Sequence, residues 1–181
     1  MKKADKIRNM TRIALYSVLL VICSWISVPF AVPITLQTFA VFFLLYFSGA
    51  KKTLAALTLY TILGIIGLPV FSGFGNGLSV LLGTTGGYVL GFFAAGAVYF
   101  AAESIFKENI NNPCVKYIAS FLALFACYSL GVLGIMRYAS GSELGFFATL
   151  GTTTAAYLLP DIAKIICADI LNRCLRNHIK A

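Results

Sequence analysis

VKYIASFLALFACYSLGVLGIM, from Val115 to Met136, passes from Tyr117 to its end without a charged side chain, a run of twenty residues. A helix of about 20 apolar residues crosses the ~30 Å hydrocarbon core of a bilayer. The run is bounded by Pro113 on one side and Arg137 on the other. Five similar stretches separate around it: Ile13–Val28, Thr35–Ser48, Thr53–Leu68, Leu78–Ala102 and a last region, Leu144–Leu175, interrupted by Pro160. The expected fold is therefore an all-α integral membrane protein with six transmembrane helices, forming one domain over residues 1–181.

Composition points the same way. Hydrophobic residues make up 60% of the 181 residues and charged residues 11%, against about 25% charged in an ordinary soluble domain. Six spans use roughly 120 residues, which leaves short loops and no room here for a soluble nucleotide-binding domain. No G-x-x-x-x-G-K-[ST] phosphate loop occurs, so ATP, if it powers this chain, acts through another. The five cysteines are scattered, with no C-x-x-C pair, so neither a metal nor a redox site is expected.

The net charge of +8 is distributed as membrane orientation requires, not as a nucleic-acid-binding face. With the N-terminus in the cytoplasm, the inner side receives Lys2, Lys3, Lys6, Arg8, Arg12, Lys51, Lys52, Lys107, Lys116, Arg173, Arg176 and Lys180. These are twelve of the fourteen Lys and Arg. Only Arg137 falls outside, and Lys164 lies within the last apolar region. The expectation is a multi-pass protein of the cell membrane with both termini cytoplasmic, residues 1–12 and 176–181 forming the basic tails.

Asp161 and Lys164 are the residues that stand out chemically. A charge inside a span costs at least ~2.5–3.5 kcal/mol on insertion scales and usually faces a cavity or a partner. Three residues apart, the two share a helix face. Pro160 suits the first turn of a helix, so the last helix is expected to start there, below the outer surface, reached by irregular chain or a short separate helix. Asp161 and Lys164 would then line an outward-facing cavity; the alternative is an ion pair that merely holds helices together. The glycine-rich loop at 71–78 carries Asn76 and reads either as a lid over such a cavity or as an ordinary turn. Tyr88 suits equally an interfacial belt and a cavity wall, and Gln37 either a hydrogen bond to the lid or an interface anchor. Gly83, Gly87 and Gly91, spaced by four, predict a close helix contact.

These motifs converge. Val32–Phe39 (VPITLQTF), Gly67–Phe71 (GLPVF), Leu82–Phe92 (LGTTGGYVLGF) and Pro160–Lys164 (PDIAK) resemble, in order and spacing, the signatures of the BioY family. These are biotin-binding S components of energy-coupling factor (ECF) transporters. The resemblance implies an outward cavity that holds biotin, with Asn76, Asp161 and Lys164 as polar ligands and Tyr88 and Gln37 beside them. It implies no cofactor and no catalysis. The implied partners are a transmembrane coupling subunit and two ABC-type ATPase subunits. S components resemble one another in a small-x-x-x-small pair on the first helix that docks the coupling subunit. Here Ala14 is followed by Val18, and Ala14, Ser17 and Val18 form the expected docking patch. Two other readings stand beside this one: a stand-alone facilitator, and an intramembrane enzyme using Asp161. The latter lacks a second carboxylate, a Ser–His pair or a metal cluster nearby.

Overall fold

The computed structural model describes residues 3–28, 33–138 and 146–180, and it is mostly helical. Seven α-helices follow in order: α1 (Lys3–Trp25), α2 (Gln37–Ser48), α3 (Ala50–Ile65), α4 (Gly77–Leu82), α5 (Gly86–Phe106), α6 (Pro113–Tyr138) and α7 (Phe146–Lys180). A two-residue antiparallel ladder, β1 (Ser27–Val28) with β2 (Ile34–Thr35), closes the start of the α1–α2 connection. Among the described residues three helices are long and apolar enough to cross a membrane: Lys3–Trp25, Gly86–Phe106 and Pro113–Arg137.

The short helix α2 is the centre of the bundle. Every residue from Ala40 to Tyr46 is buried, and α1, α3, α5 and α7 all pack on it. A helix that is apolar on all sides is stable only when surrounded, which is why twelve residues suffice here. α1 lies along α3, where the buried Ser17 hydroxyl shares its one hydrogen between the Ile13 carbonyl at 3.0 Å and the Ala56 carbonyl at 2.9 Å.

The expected fourth run is broken in two. Gly83 is extended, ending α4, and the chain turns back into α5 at Gly86. A Cβ on Gly86 would collide with the Leu81 carbonyl, so the turn needs glycine at that point. α5 then packs against α6 backbone to backbone. A Cβ on Gly87 would lie 2.9 Å from the Gly134 Cα, and one on Gly91 would lie 2.6 Å from the Cys127 carbonyl. The expected glycine contact is thus present at Gly87 and Gly91, whereas Gly83 belongs to the turn.

Pro160 does not start a helix. α7 is continuous through it, and at 35 residues is about 52 Å long. Proline lacks its own N–H and its ring crowds the carbonyl four residues back, that of Ala156, which loses its helical partner. Helices in membranes tolerate that loss where neighbours re-satisfy the freed group. Asp161 and Lys164 therefore sit within a long helix, not at its exposed beginning.

Candidate binding site

The loop after α3 builds one side of a cavity. Trp25 Nε1 donates to the Pro69 carbonyl at 2.8 Å, Ser24 Oγ donates to the Val70 carbonyl at 2.5 Å, and the Trp25 and Phe74 rings sit 5.1 Å apart. These ties turn Phe71 inward, where it meets Tyr60 edge-on at 5.5 Å. Phe71 and Tyr60 then face α5, α6 and α7 across a cavity of about 700 Å³, counted with its open mouth. Phe92, Tyr88 and Tyr157 add aromatic surface, and Thr35 and Thr38 stand at the rim of α2.

One wall carries charge. Asp161 is 5% exposed. Lys164 Nζ donates to one of its carboxylate oxygens at 2.7 Å, and Tyr128 OH, from α6, donates to the other at 2.7 Å. All three side chains line the cavity. A carboxylate oxygen has two acceptor positions and an ammonium three N–H groups. Each therefore keeps capacity for a ligand after these bonds are made. The arrangement accepts from one ligand group and donates to another, side by side, within an apolar and aromatic enclosure. Among the described residues no three His, Cys, Asp or Glu side chains group as a metal-binding set.

Of the residues expected from sequence, the structure brings together Asp161, Lys164, Tyr88 and Gln37. Asn76 is apart: it is exposed, caps α4 in extended conformation, and does not line the cavity. The reading of 71–78 as a loop is also altered, since Ser72–Phe74 is a 3-10 turn and α4 begins at Gly77. The docking patch divides as well. Ala14 and Val18 are exposed on the outer face of α1, but Ser17 is 1% exposed and bonded to α3, so it is unavailable to a partner. Tyr128 was missed: a phenol inside an apolar run is what sequence offered, and nothing local shows that it meets α7. Tyr60 and Ser72 were missed for the same reason.

The whole chain, residues 1–181, matches the model of the BioY family. The chain belongs to the BioY family. Biotin transporter BioY2 of Lactococcus lactis subsp. cremoris is 40% identical over 94% of this chain and 91% of its own length. Biotin transporter BioY of Thermotoga maritima is 39% identical over 72% and 76%. A probable biotin transporter BioY of Pyrococcus horikoshii is 30% identical over 96% and 99%. In fold, the chain matches a crystal structure of the S-component for biotin from an ECF-type ABC transporter. The TM-score is 0.83, with 21% identity over 98% of this chain and 95% of that one. The family is one of transporters, not enzymes, and with its apolar helices this is a membrane protein.

Proposed function

We propose that the protein is the biotin-capture subunit of an ECF-type transporter, holding biotin in the Asp161–Lys164 cavity before a partner complex drives its release. The observation that supports this most is the Asp161 carboxylate, buried in an aromatic cavity with one cation and one phenol on it and acceptor capacity to spare. Biotin's ureido group offers two N–H donors and one carbonyl. Asp161 accepts from the N–H groups, Lys164 donates to the carbonyl, and Tyr128 holds the carboxylate in place. Tyr88 and Phe92 cover the apolar ring faces.

In this reading the helices make six spans, with α4 a short outer segment, both termini cytoplasmic, and the cavity open to the outside. The glycine-rich segment at 71–78 with Asn76 is the cavity's outer cover. The exposed α1 face at Ala14 and Val18 docks the coupling subunit, and two ATPase chains supply the energy. The biotin-transporter names of the family's relatives and the fold shared with an S-component favour this over a stand-alone facilitator.

Mass spectrometry of the small molecule that copurifies with the chain tests the substrate; recovery of a different vitamin would overturn it. Biotin uptake measured with and without the coupling and ATPase subunits tests the energy source. Uptake undiminished in their absence would make the protein a facilitator. For orientation, the exposed Cys174 should resist a membrane-impermeant maleimide in intact cells, whereas a Ser79→Cys variant should react. The reverse pattern would invert the topology.

A further inference from the structure

α6 is sealed against α5 but only partly against α7. An apolar groove of about 870 Å³, counted with its open side, runs between α6 and α7. Leu124 and Ile165, both buried, form its floor. Its walls are Tyr117 and Phe121 on α6 and Ile162 and Ile166 on α7, all exposed. The groove is separate from the Asp161 cavity, and Leu124 is the one described residue that lines both.

The walls limit what can fill it. Helices that pair in a membrane approach one another through small residues. The one small residue in the described lining, Ser120, is 1% exposed, and its hydroxyl is engaged with the Lys116 carbonyl and the Tyr46 hydroxyl. The side chains that a second helix would meet are large. A slot of that kind suits a flexible hydrocarbon chain.

The groove also leads to positive charge. Ile162, Ile166, Ile170 and Arg173 follow at steps of four, four and three, along one face of α7. Ile162 to Arg173 is about 16 Å of helix, half of the ~30 Å hydrocarbon core and so the depth of one leaflet. Arg173 adjoins the groove wall at Tyr117, whose hydroxyl donates to the same Asp169 oxygen that takes Arg173 Nη2. The Arg173 side chain is 57% exposed, and a guanidinium has five N–H donors, so donors remain beyond that bond. Lys116 is on the same carboxylate, and Arg176 lies within electrostatic reach of Lys116. Three cations are thus gathered around the one carboxylate of Asp169, which leaves positive charge in excess.

We infer that the α6–α7 groove is a site for one anionic phospholipid, with an acyl chain between Phe121 and Ile166 and the phosphate on the Arg173 guanidinium. Basic pockets between transmembrane helices take anionic headgroups in this way.

Native mass spectrometry tests this on detergent-solubilised protein that is delipidated and then given dioleoylphosphatidylglycerol or dioleoylphosphatidylcholine. The unaltered chain should retain phosphatidylglycerol about fivefold more tightly than phosphatidylcholine, the worth of one basic side chain at a membrane surface. Glycerol phosphate, which has the headgroup charge without the chains, should not bind. Arg173→Gln should abolish the preference, and Arg173→Lys should keep it. Ile166→Trp fills the groove and leaves the ion pairs alone. It should lose retained lipid of both kinds, with the thermal midpoint in lipid-free detergent unchanged. Equal retention of the two lipids by the unaltered chain would overturn the inference. So would a preference that survives Arg173→Gln, or retention that survives Ile166→Trp. Glycerol phosphate bound as tightly as the lipid would reduce the site to a phosphate contact without a groove. No retained lipid, with a dimer that Ile166→Trp turns into a monomer, would give the groove to a second copy of the chain instead.

Discussion

Two buried aspartates on α7, eight residues apart, have been given nearly the same partners and opposite tasks. Asp161 takes hydrogen bonds from Lys164 and Tyr128. Asp169, 1% exposed, takes them from Lys116, Tyr117 and Arg173, the last two at 2.9 and 2.7 Å. The difference is where the cation comes from and what lies alongside. The lysine on Asp161 stands on the same helix, three residues on, so the pair joins nothing to anything; only Tyr128 reaches across to α6. The lysine on Asp169 comes from α6 and lies 4.0 Å over the ring of Tyr46 on α2. Arg176 adds a bond from α7 to the Tyr46 carbonyl at 2.7 Å. Asp169 thus ties three helices together and is not among the residues lining the Asp161 cavity. Asp161 ties little and lines one. A buried charge in a membrane helix is therefore read by the helix that supplies its partner.

That contrast can be broken at its strongest point first. Lys116→Ala leaves the Asp169 carboxylate buried without its cross-helix cation. Removing one member of a buried pair costs about 3–5 kcal/mol, so the thermal midpoint in detergent should fall steeply, with biotin affinity near normal in whatever protein stays folded. Unchanged stability would mean that Asp169 is not the tie described. Asp161→Asn should do the opposite. It replaces an acceptor by a donor facing the ureido N–H, for about 1–3 kcal/mol in binding, or tenfold and more in Kd, with a fall in midpoint smaller than that of Lys116→Ala, because Lys164 loses its counter-ion but no cation joining two helices is removed. Near-native affinity would remove Asp161 from the ligand set. Tyr128→Phe loses one bond to Asp161, about 0.5–1.5 kcal/mol, and should raise the Kd several-fold as measured by calorimetry. The smallest effect belongs to Asn76→Ala: the side chain lies off the cavity, and the Kd should change less than threefold. A tenfold loss would show that the 71–78 segment folds over bound ligand and brings Asn76 with it.

The sequence carried the helices because their apolar runs are long and local: each expected run overlaps one α-helix, and the fourth overlaps two, while α1 reaches back through the basic segment to Lys3. It carried Asp161 and Lys164 because charge in an apolar run is conspicuous without any knowledge of neighbours. It misjudged Pro160, since a proline that can start a helix can also sit inside one when the surroundings satisfy the freed carbonyl. Tyr128, Tyr60 and Ser72 were out of reach for a different reason. A hydroxyl in an apolar helix or a loop has the same local signature whether it meets a carboxylate, an empty cavity or lipid, and only the packing of α3, α6 and α7 separates these cases. Ser17 was misplaced because one small residue in the Ala14 turn faces α3 while its neighbours face outward.

The contact of α5 with α6 sets a gauge. At Gly87 and Gly134 the two backbones touch, and no side-chain atom acts as spacer. These helices also bear opposite parts of the cavity lining, Tyr88 and Phe92 on one, Leu124 and Tyr128 on the other. The distance across that part of the pocket is therefore set by hydrogens rather than by methyl groups. A single added carbon at the seam would push the two helices, and the lining residues they carry, apart. At that seam any side chain larger than a hydrogen must be met by a shift of one helix against the other.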